Sequence, residues 1–252
     1  MRVKKFPDWV LITVFTINLL LFGSNAWAES NEDFNTWQNT LAPFYLYGVS
    51  MSGTLTSGPI TVPLEIEFSD AVSDLEGIFT LHYEGAKGNW GIIADYSFLN
   101  LGPSAAIPGT PAVIDVDMKN TIAELAGLYR FGADNPWQLL AGYRTYQLDV
   151  TISGLPVPVV IDETINDFFI GGRYVRQIND KWSFRGRADI GAGDSDLVWN
   201  AVLAFDYRFT RLLSGFAGWR VLDYDVDRGS GANTFKYDMN HSGPVLALAF
   251  HW

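Results

Sequence analysis

The last residues of the chain, from Pro244 to Trp252, alternate strictly between two kinds of side chain. Every second residue is large and apolar, namely Trp252, Phe250, Leu248 and Leu246. The residues between them are smaller or polar, namely His251, Ala249, Ala247 and Val245. A period of two predicts a β-strand whose successive side chains point to opposite faces. The large face suits lipid and the small face suits a crowded barrel interior, although an edge strand of a soluble β protein would also alternate.

The N-terminus has the pattern of a targeting segment. Residues 1–5 carry three basic side chains, residues 10–22 form an apolar run, and residues 26–28 (Ala-Trp-Ala) fit a small-residue cleavage site. The apolar run is short for a spanning helix, which needs ~20 such residues, and this argues against the alternative of a signal anchor. We therefore predict that residues 1–28 are a cleaved signal peptide and that residues 29–252 form the mature domain.

Composition narrows the classes of function. Residues 1–28 hold three basic residues and one acidic residue, so their removal takes the formal charge from −11 to −13. Such an acidic chain argues against nucleic acid as a partner. The sequence has no cysteine, which excludes disulfides and thiolate metal sites. No run of ~18 apolar residues follows the signal peptide, so no helical span is predicted. The 15% aromatic content fits a membrane β-barrel, and a large soluble β-sandwich would share much of this composition.

Turn signals divide the mature chain into strands. Four short connections, near residues 88, 133, 179 and 210, alternate with five longer polar stretches. These connections join about ten strands, with eight or twelve as alternatives and the segment 58–69 as the main uncertainty. That segment contains Pro59 and Pro63, which suits an edge strand or a hairpin arm, and residues 70–76 would form a helical turn capped by Ser69. The predicted fold class is all-β: an antiparallel transmembrane β-barrel with short periplasmic turns and longer extracellular loops.

Five tryptophans occupy matching places in this arrangement. Three open the strand after a short turn, one opens the first strand and one ends the last: Trp90, Trp137, Trp182, Trp37 and Trp252. All five would lie at one membrane interface, as an aromatic girdle does. The signal peptide and the barrel together predict localisation in the cell outer membrane, with outer-membrane lipid and lipopolysaccharide as surrounding partners.

Several motifs resemble those of one protein family. They are Ala42-Pro43-Phe44-Tyr45-Leu46-Tyr47 after Trp37, Phe68-Ser69-Asp70, Thr121-Ile122-Ala123-Glu124-Leu125, Ala141-Gly142-Tyr143-Arg144, Ala188-Asp189-Ile190-Gly191 followed by Gly193-Asp194-Ser195-Asp196-Leu197-Val198-Trp199, and Ser242-Gly243-Pro244. Over almost the whole mature chain, the sequence resembles porin-like outer-membrane β-barrel proteins of Gram-negative proteobacteria. The resemblance implies the barrel fold and its location. It also implies that the barrel-assembly machinery reads the C-terminal strand that ends at Trp252.

The sequence also predicts which charges face the barrel interior. The turn after Phe131 is centred near residue 134, so paired residues sum to about 268 and Glu124 lies opposite Arg144 on the polar face. An arginine and a carboxylate in this position form a strong pair. Our candidates for the lumen lining are Glu124, Arg144, Arg173, Arg185, Arg187, Asp189 and Asp206. These charges would either fill a narrow barrel as a plug of ion pairs or line a narrow pore.

The function we predict is a narrow porin-like channel for ions or small solutes. The alternative is a non-conducting structural or adhesion barrel that acts through its extracellular loops, and complete pairing of the interior charges would distinguish it. A third alternative is an enzyme at the barrel rim that acts on lipid or peptide. We predict no enzyme, because His241 and Ser242 are adjacent and point to opposite faces of a strand. We predict no catalytic residue, metal site or cofactor, and the sequence leaves the oligomeric state open.

Overall fold

The computed structural model describes residues 34–47, 49–102, 104–106, 113–154 and 159–252; the predicted signal peptide, residues 1–28, lies outside the described residues. The strands are β1 (Gln38–Tyr47), β2 (Ser50–Ser57), β3 (Ile60–Ile66), β4 (Leu75–Lys87), β5 (Trp90–Leu101), β6 (Ser104–Ala106), β7 (Val113–Arg130), β8 (Trp137–Ser153), β9 (Val159–Gln177), β10 (Trp182–Gly193), β11 (Leu197–Arg208), β12 (Leu213–Arg228) and β13 (Phe235–His251). A helix, α1 (Phe68–Ser73), and a 3-10 turn (Gly231–Asn233) accompany them. Within these ranges no helix has the length and apolar character that crossing a membrane requires.

The strands form one closed antiparallel sheet, so the chain folds as a ten-stranded β-barrel. β13 closes the barrel, because it pairs with β12 on one side and with both β1 and β2 on the other. β1 and β2 follow each other along β13 and act together as one barrel strand. β1 pairs with β4, and β4, β5 and β7 to β12 then follow in chain order. β6 is a short addition beside β7, and β3 lies at the edge of the sheet.

The predicted strand count is confirmed. Short connections join β4 to β5, β7 to β8, β9 to β10 and β11 to β12 at one end of the barrel, which we call the turn end, and the opposite end is the loop end. The segment 58–69 contributes β3, an edge strand in which Pro63 lies opposite Thr54. The prediction that Ser69 caps the helix was wrong. Glu67 occupies the cap position with extended backbone, and Ser69 lies inside the first turn.

The outer surface of the barrel changes character along its axis. Around the turn end the outward side chains are apolar, and Trp219, Leu246 and Phe250 are each about half exposed. We call this zone the belt. Towards the loop end the outward residues of β12 become Asp223, Asp225 and Asp227. The outward residues of β8, β9 and β13 likewise become Ser, Thr, Asn, Gln, Asp and Lys, with the exception of the exposed Val160 on β9. We call this polar part the head.

The interior changes in the opposite sense. In the head, buried apolar side chains from most strands pack into one core; its members include Met51, Leu55, Leu101, Met118, Leu148, Val150, Ile161, Ile165, Val226, Phe235 and Met239. In the belt, the interior holds most of the buried arginines and carboxylates. An outward face that contacts water requires an apolar interior, whereas a lipid-facing wall can enclose polar groups. The head therefore resembles a soluble β-barrel that is continuous with a barrel of membrane type.

Candidate functional site

A buried arginine lies at the centre of the belt interior. The Arg144 side chain is 1% exposed, and its Nε and Nη2 donate to Glu124 Oε2 at 2.9 and 2.8 Å. Arg144 Nη2 also donates to Asp189 Oδ1 at 2.8 Å. Glu124 and Arg144 are paired directly across β7 and β8, which confirms the register predicted from the sequence. Strand pairing therefore places this contact, and the turn after β7 sets its register.

A second arginine completes the group and makes it electrically neutral. Arg187 Nη1 lies 2.6 Å from Glu124 Oε1, and Arg187 Nε donates to Asp189 Oδ2 at 2.8 Å. Two guanidinium groups thus share two carboxylates, and each carboxylate contacts both. The Phe169 ring packs against both cations, with its centroid 4.7 Å from Arg144 Cζ and 5.3 Å from Arg187 Cζ. Charge-assisted hydrogen bonds and cation–π contacts of this kind hold buried charges in a fixed geometry.

Other charged contacts lie closer to the turn end. Arg173 donates from Nη1 and Nη2 to the two carboxylate oxygens of Glu84, both at 2.6 Å. Arg185 approaches the same carboxylate less closely, with its Nη1 3.8 Å from Glu84 Oε2. The Asp206 carboxylate accepts a hydrogen bond from the Ser214 hydroxyl at 2.9 Å. The Arg173–Glu84 pair joins distant parts of the chain, because Arg173 on β9 reaches Glu84 on β4 across the interior.

A layer of aromatic hydroxyl groups separates these charges from the apolar core of the head. The Tyr146 hydroxyl lies 2.8 Å from the Tyr237 hydroxyl, which in turn lies 2.8 Å from His241 Nε2. The Tyr146 and Tyr224 rings stack with centroids 5.2 Å apart. These four side chains, which we call the tyrosine layer, are fully or almost fully buried. Among the described residues, the layer and the core beyond it occupy the interior between the middle of the barrel and the loop end.

A cavity of about 100 Å³ lies in the belt interior. Its charged lining comes from six strands: His82, Glu84, Asp95, Arg173, Arg185, Arg187, Asp206 and Arg220. His82 Nδ1 and Asp95 Oδ1 are 2.6 Å apart across β4 and β5. Apolar side chains, among them Ile93, Val202 and Phe216, complete the wall. The cavity is thus a chamber with both charged and apolar walls, and it lies between the turn end and the tyrosine layer.

The structure places the seven predicted lumen residues inside the barrel but not in one group. Glu124, Arg144, Arg187 and Asp189 form the central cluster, whereas Arg173 and Arg185 converge on Glu84, and Asp206 bonds to Ser214. The prediction gave no role to the tyrosine layer. Its sequence signal was available, because Tyr146 is two residues from Arg144 and therefore shares its face.

The five predicted interface tryptophans are all exposed on the outer surface. Trp90 and Trp137 pack edge-on against Tyr129 and Tyr174 of the neighbouring strands, with ring centroids 4.9 and 5.0 Å apart. Trp182 contacts Tyr207 in the same manner at 4.8 Å. Each pair is directly opposite in its ladder. Aromatic pairs therefore line the turn end of the belt, where strands meet short turns.

Comparisons with known proteins give only distant similarity. No protein family model matches the chain, and no curated protein matches its sequence. The translocator domain of the autotransporter NalP from Neisseria meningitidis is similar in structure, with a TM-score of 0.43 and 13% identity over 97% of this chain and 95% of that one. Ail of Yersinia pestis gives a TM-score of 0.37 and 10% identity over 86% and 97% of the two chains. Both are Gram-negative outer-membrane β-barrels; similarity this distant does not indicate a function.

Proposed function

We propose that this protein is an outer-membrane β-barrel that is closed to ion flow and acts through its extracellular head. The observation that carries the proposal is the filled interior, in which the central ion-pair cluster, the tyrosine layer and the head core follow one another along the axis. A pore needs a continuous aqueous path, and a barrel of about eight strands is just filled by its own side chains. Ten strands are close to that limit.

The belt supports the membrane location. On β13 it runs from Pro244 to Trp252, which agrees with the roughly 9–11 residues that a membrane strand requires. Exposed aromatic side chains mark its turn end, as expected at a membrane interface. With the short turns in the periplasm, the head would project outwards from the cell. Outer-membrane lipid and lipopolysaccharide would then surround the belt, and the assembly machinery would recognise β13 and Trp252.

The head supports an extracellular role because its described residues form paired strands around an apolar core. β7, β8 and β9 continue their pairing well beyond the belt, as far as Asp115 opposite Ser153 and Ile152 opposite Val159. The β2–β3 hairpin and the loop-end halves of β12 and β13 complete the head. Its apolar core fixes the outer surface, which presents hydroxyl and carboxylate groups. A rigid polar surface of this kind suits adhesion or a structural contact.

The porin-like channel remains the second candidate, and two observations favour it. One is the cavity in the belt, and the other is the incomplete pairing of the interior charges at Arg185 and Arg220. A conducting form would need the tyrosine layer and the head core to move apart. We also propose that the protein is not an enzyme. His241 is buried and lies beside the Tyr237 hydroxyl, whereas Ser242 lies on the opposite face of β13, so the two cannot act as base and nucleophile.

Planar-bilayer recording of the refolded mature protein, residues 29–252, tests the proposal. The wild-type protein should insert and show no steady current above that of the empty bilayer. Protease protection in vesicles of the same lipid verifies insertion, and the Glu124→Gln variant serves as the matched comparison. Steady single-channel currents whose size or selectivity changes in Glu124→Gln would refute the closed barrel and establish the channel instead.

A further inference from the structure

One buried arginine in the cavity wall, Arg220, forms no ion pair with a carboxylate of the described residues, and Glu124 acts on its charge only at longer range. Arg220 is 7% exposed, and its Nε donates to the neutral Asn200 Oδ1 at 2.9 Å. Its guanidinium also lies 5.2 Å from the centre of the Tyr47 ring. Among the described residues, no carboxylate lies within ion-pair distance of Arg220, and its Nη groups donate to no protein atom. A guanidinium cannot lose its proton in a protein, so its charge remains and needs compensation.

Two other arginines of the cavity wall also have unused donors. With the charged groups that the structure describes, Arg185 makes only the 3.8 Å contact with Glu84, whose two oxygens already accept from Arg173. In the part of the chain that the structure describes, Arg185 Nε and Arg187 Nη2 are buried and have no hydrogen-bond partner. Buried donors without acceptors are costly. Arg185, Arg187 and Arg220 all line the same cavity, although Arg185 Nε and Arg187 Nη2 themselves have almost no surface open to it.

The strand register brings the three arginines together. Arg187 on β10 lies opposite Val202 on β11, and Val202 lies opposite Arg220 on β12. Arg187 and Arg220 therefore lie in one row on the interior face, and two strand spacings separate their backbones by about 10 Å. Arg185 is two residues from Arg187 on the same face. The three side chains surround Val202, which itself lines the cavity.

We propose that this cavity binds one small oxyanion of the phosphate, sulfate or carboxylate class, held between Arg220, Arg187 and Arg185. The space suffices, because a single water needs roughly 10–15 Å³ and the cavity measures about 100 Å³. Asp206 is the only carboxylate of the described lining without a cation or a histidine partner, and Ser214 already donates to it. One acid thus opposes two incompletely paired guanidinium groups, Arg185 and Arg220.

The bound anion is a free solute rather than a lipid headgroup. The cavity lies inside the barrel wall, whereas headgroups contact its outside. The tyrosine layer and the head core close the route from the loop end. Cavity-lining residues such as Thr40 and Ala249 lie near the turn end, close to the pairs that β1 and β13 form there. The anion therefore enters from the turn end.

Equilibrium dialysis with radiolabelled inorganic phosphate tests the site on folded protein in a zwitterionic detergent at constant ionic strength. We expect saturable binding at one site per barrel, with competition by sulfate or acetate but not by chloride at the same concentration. Arg220→Gln should weaken binding at least tenfold. Arg228→Gln is the matched control, because Arg228 pairs with Glu163 at the loop end, away from the cavity, and its affinity should equal that of the wild type.

A second measurement keeps the test decisive if Arg220→Gln fails to fold. In the wild-type protein, phosphate titration should shift the arginine Nε–H nuclear magnetic resonance signals of Arg185, Arg187 and Arg220 and leave that of Arg228 in place. Absence of saturable phosphate binding would mean that the cavity holds only water, and the proposal would be wrong. Equal affinity in the wild type and in folded Arg220→Gln would also overturn it.

Discussion

Replacement of Arg144 by methionine is the sharpest test of the interior cluster. Methionine keeps much of the side-chain length and removes the charge, so Glu124 and Asp189 would share Arg187 as their only close cation. Because the Arg144 side chain is 1% exposed, water cannot replace its hydrogen bonds. Removing one partner of a buried ion pair costs about 3–5 kcal/mol. We therefore expect Arg144→Met to lower the free energy of unfolding by about that amount.

Urea titration of the protein in lipid vesicles, followed by tryptophan fluorescence, measures this change. The double variant Arg144→Met with Glu124→Gln leaves Arg187 paired with Asp189 alone, which restores neutrality. It should therefore be more stable than the additive sum of the single variants by at least about 1 kcal/mol. Arg228→Met is the control, because its pair with Glu163 is about one-third exposed and should contribute less than about 1 kcal/mol. A loss below about 1 kcal/mol in Arg144→Met, or simple additivity, would refute this account of the cluster.

Two further predictions concern the head and the barrel wall. Asp149 lies opposite Asp162 in the head, and partial burial together with the Asp162 charge raises the pKa of Asp149. The ionised Asp149 side chain therefore destabilises the folded protein at neutral pH but not below the unfolded pKa of about 3.9. Asp149→Asn should raise the free energy of unfolding at pH 7 by less than about 1 kcal/mol and leave it unchanged at pH 3. A stabilisation that persists at pH 3 would contradict this. A Cβ at Gly171 would lie 2.3 Å from the Ala188 carbonyl oxygen, so Gly171→Ala should lower the free energy of unfolding by about 1–3 kcal/mol. Gly127→Ala is the control, because its added Cβ would have its nearest atom at 3.9 Å, and it should change the free energy of unfolding by less than about 0.5 kcal/mol. Equal effects of the two substitutions in the same urea assay would count against the close strand contact.

The sequence predicted contacts within hairpins better than contacts across the barrel. Glu124 and Arg144 could be paired because one short turn fixes their register. Arg173 and Glu84 lie on β9 and β4 and are 89 positions apart, and only closure of the barrel brings them together. The same holds for Arg220, whose missing partner depends on what nine other strands present to it. Alternation gives the face of each side chain, but it does not give the depth or the angle at which two faces meet.

The tyrosine layer lies where the barrel changes from one kind of interior to the other, and this position follows from the solvent outside. In the belt the wall faces lipid, so its apolar residues point outwards and the charged residues point in. In the head the wall faces water, so the pattern reverses. The boundary needs side chains with an apolar body and a polar tip, and tyrosine meets both needs. Tyr146 shows this directly, because its ring packs on Tyr224 below the head core while its hydroxyl meets Tyr237. A barrel whose outer wall passes from lipid to water therefore needs such a change of interior near the edge of the belt, and the tyrosine layer supplies it.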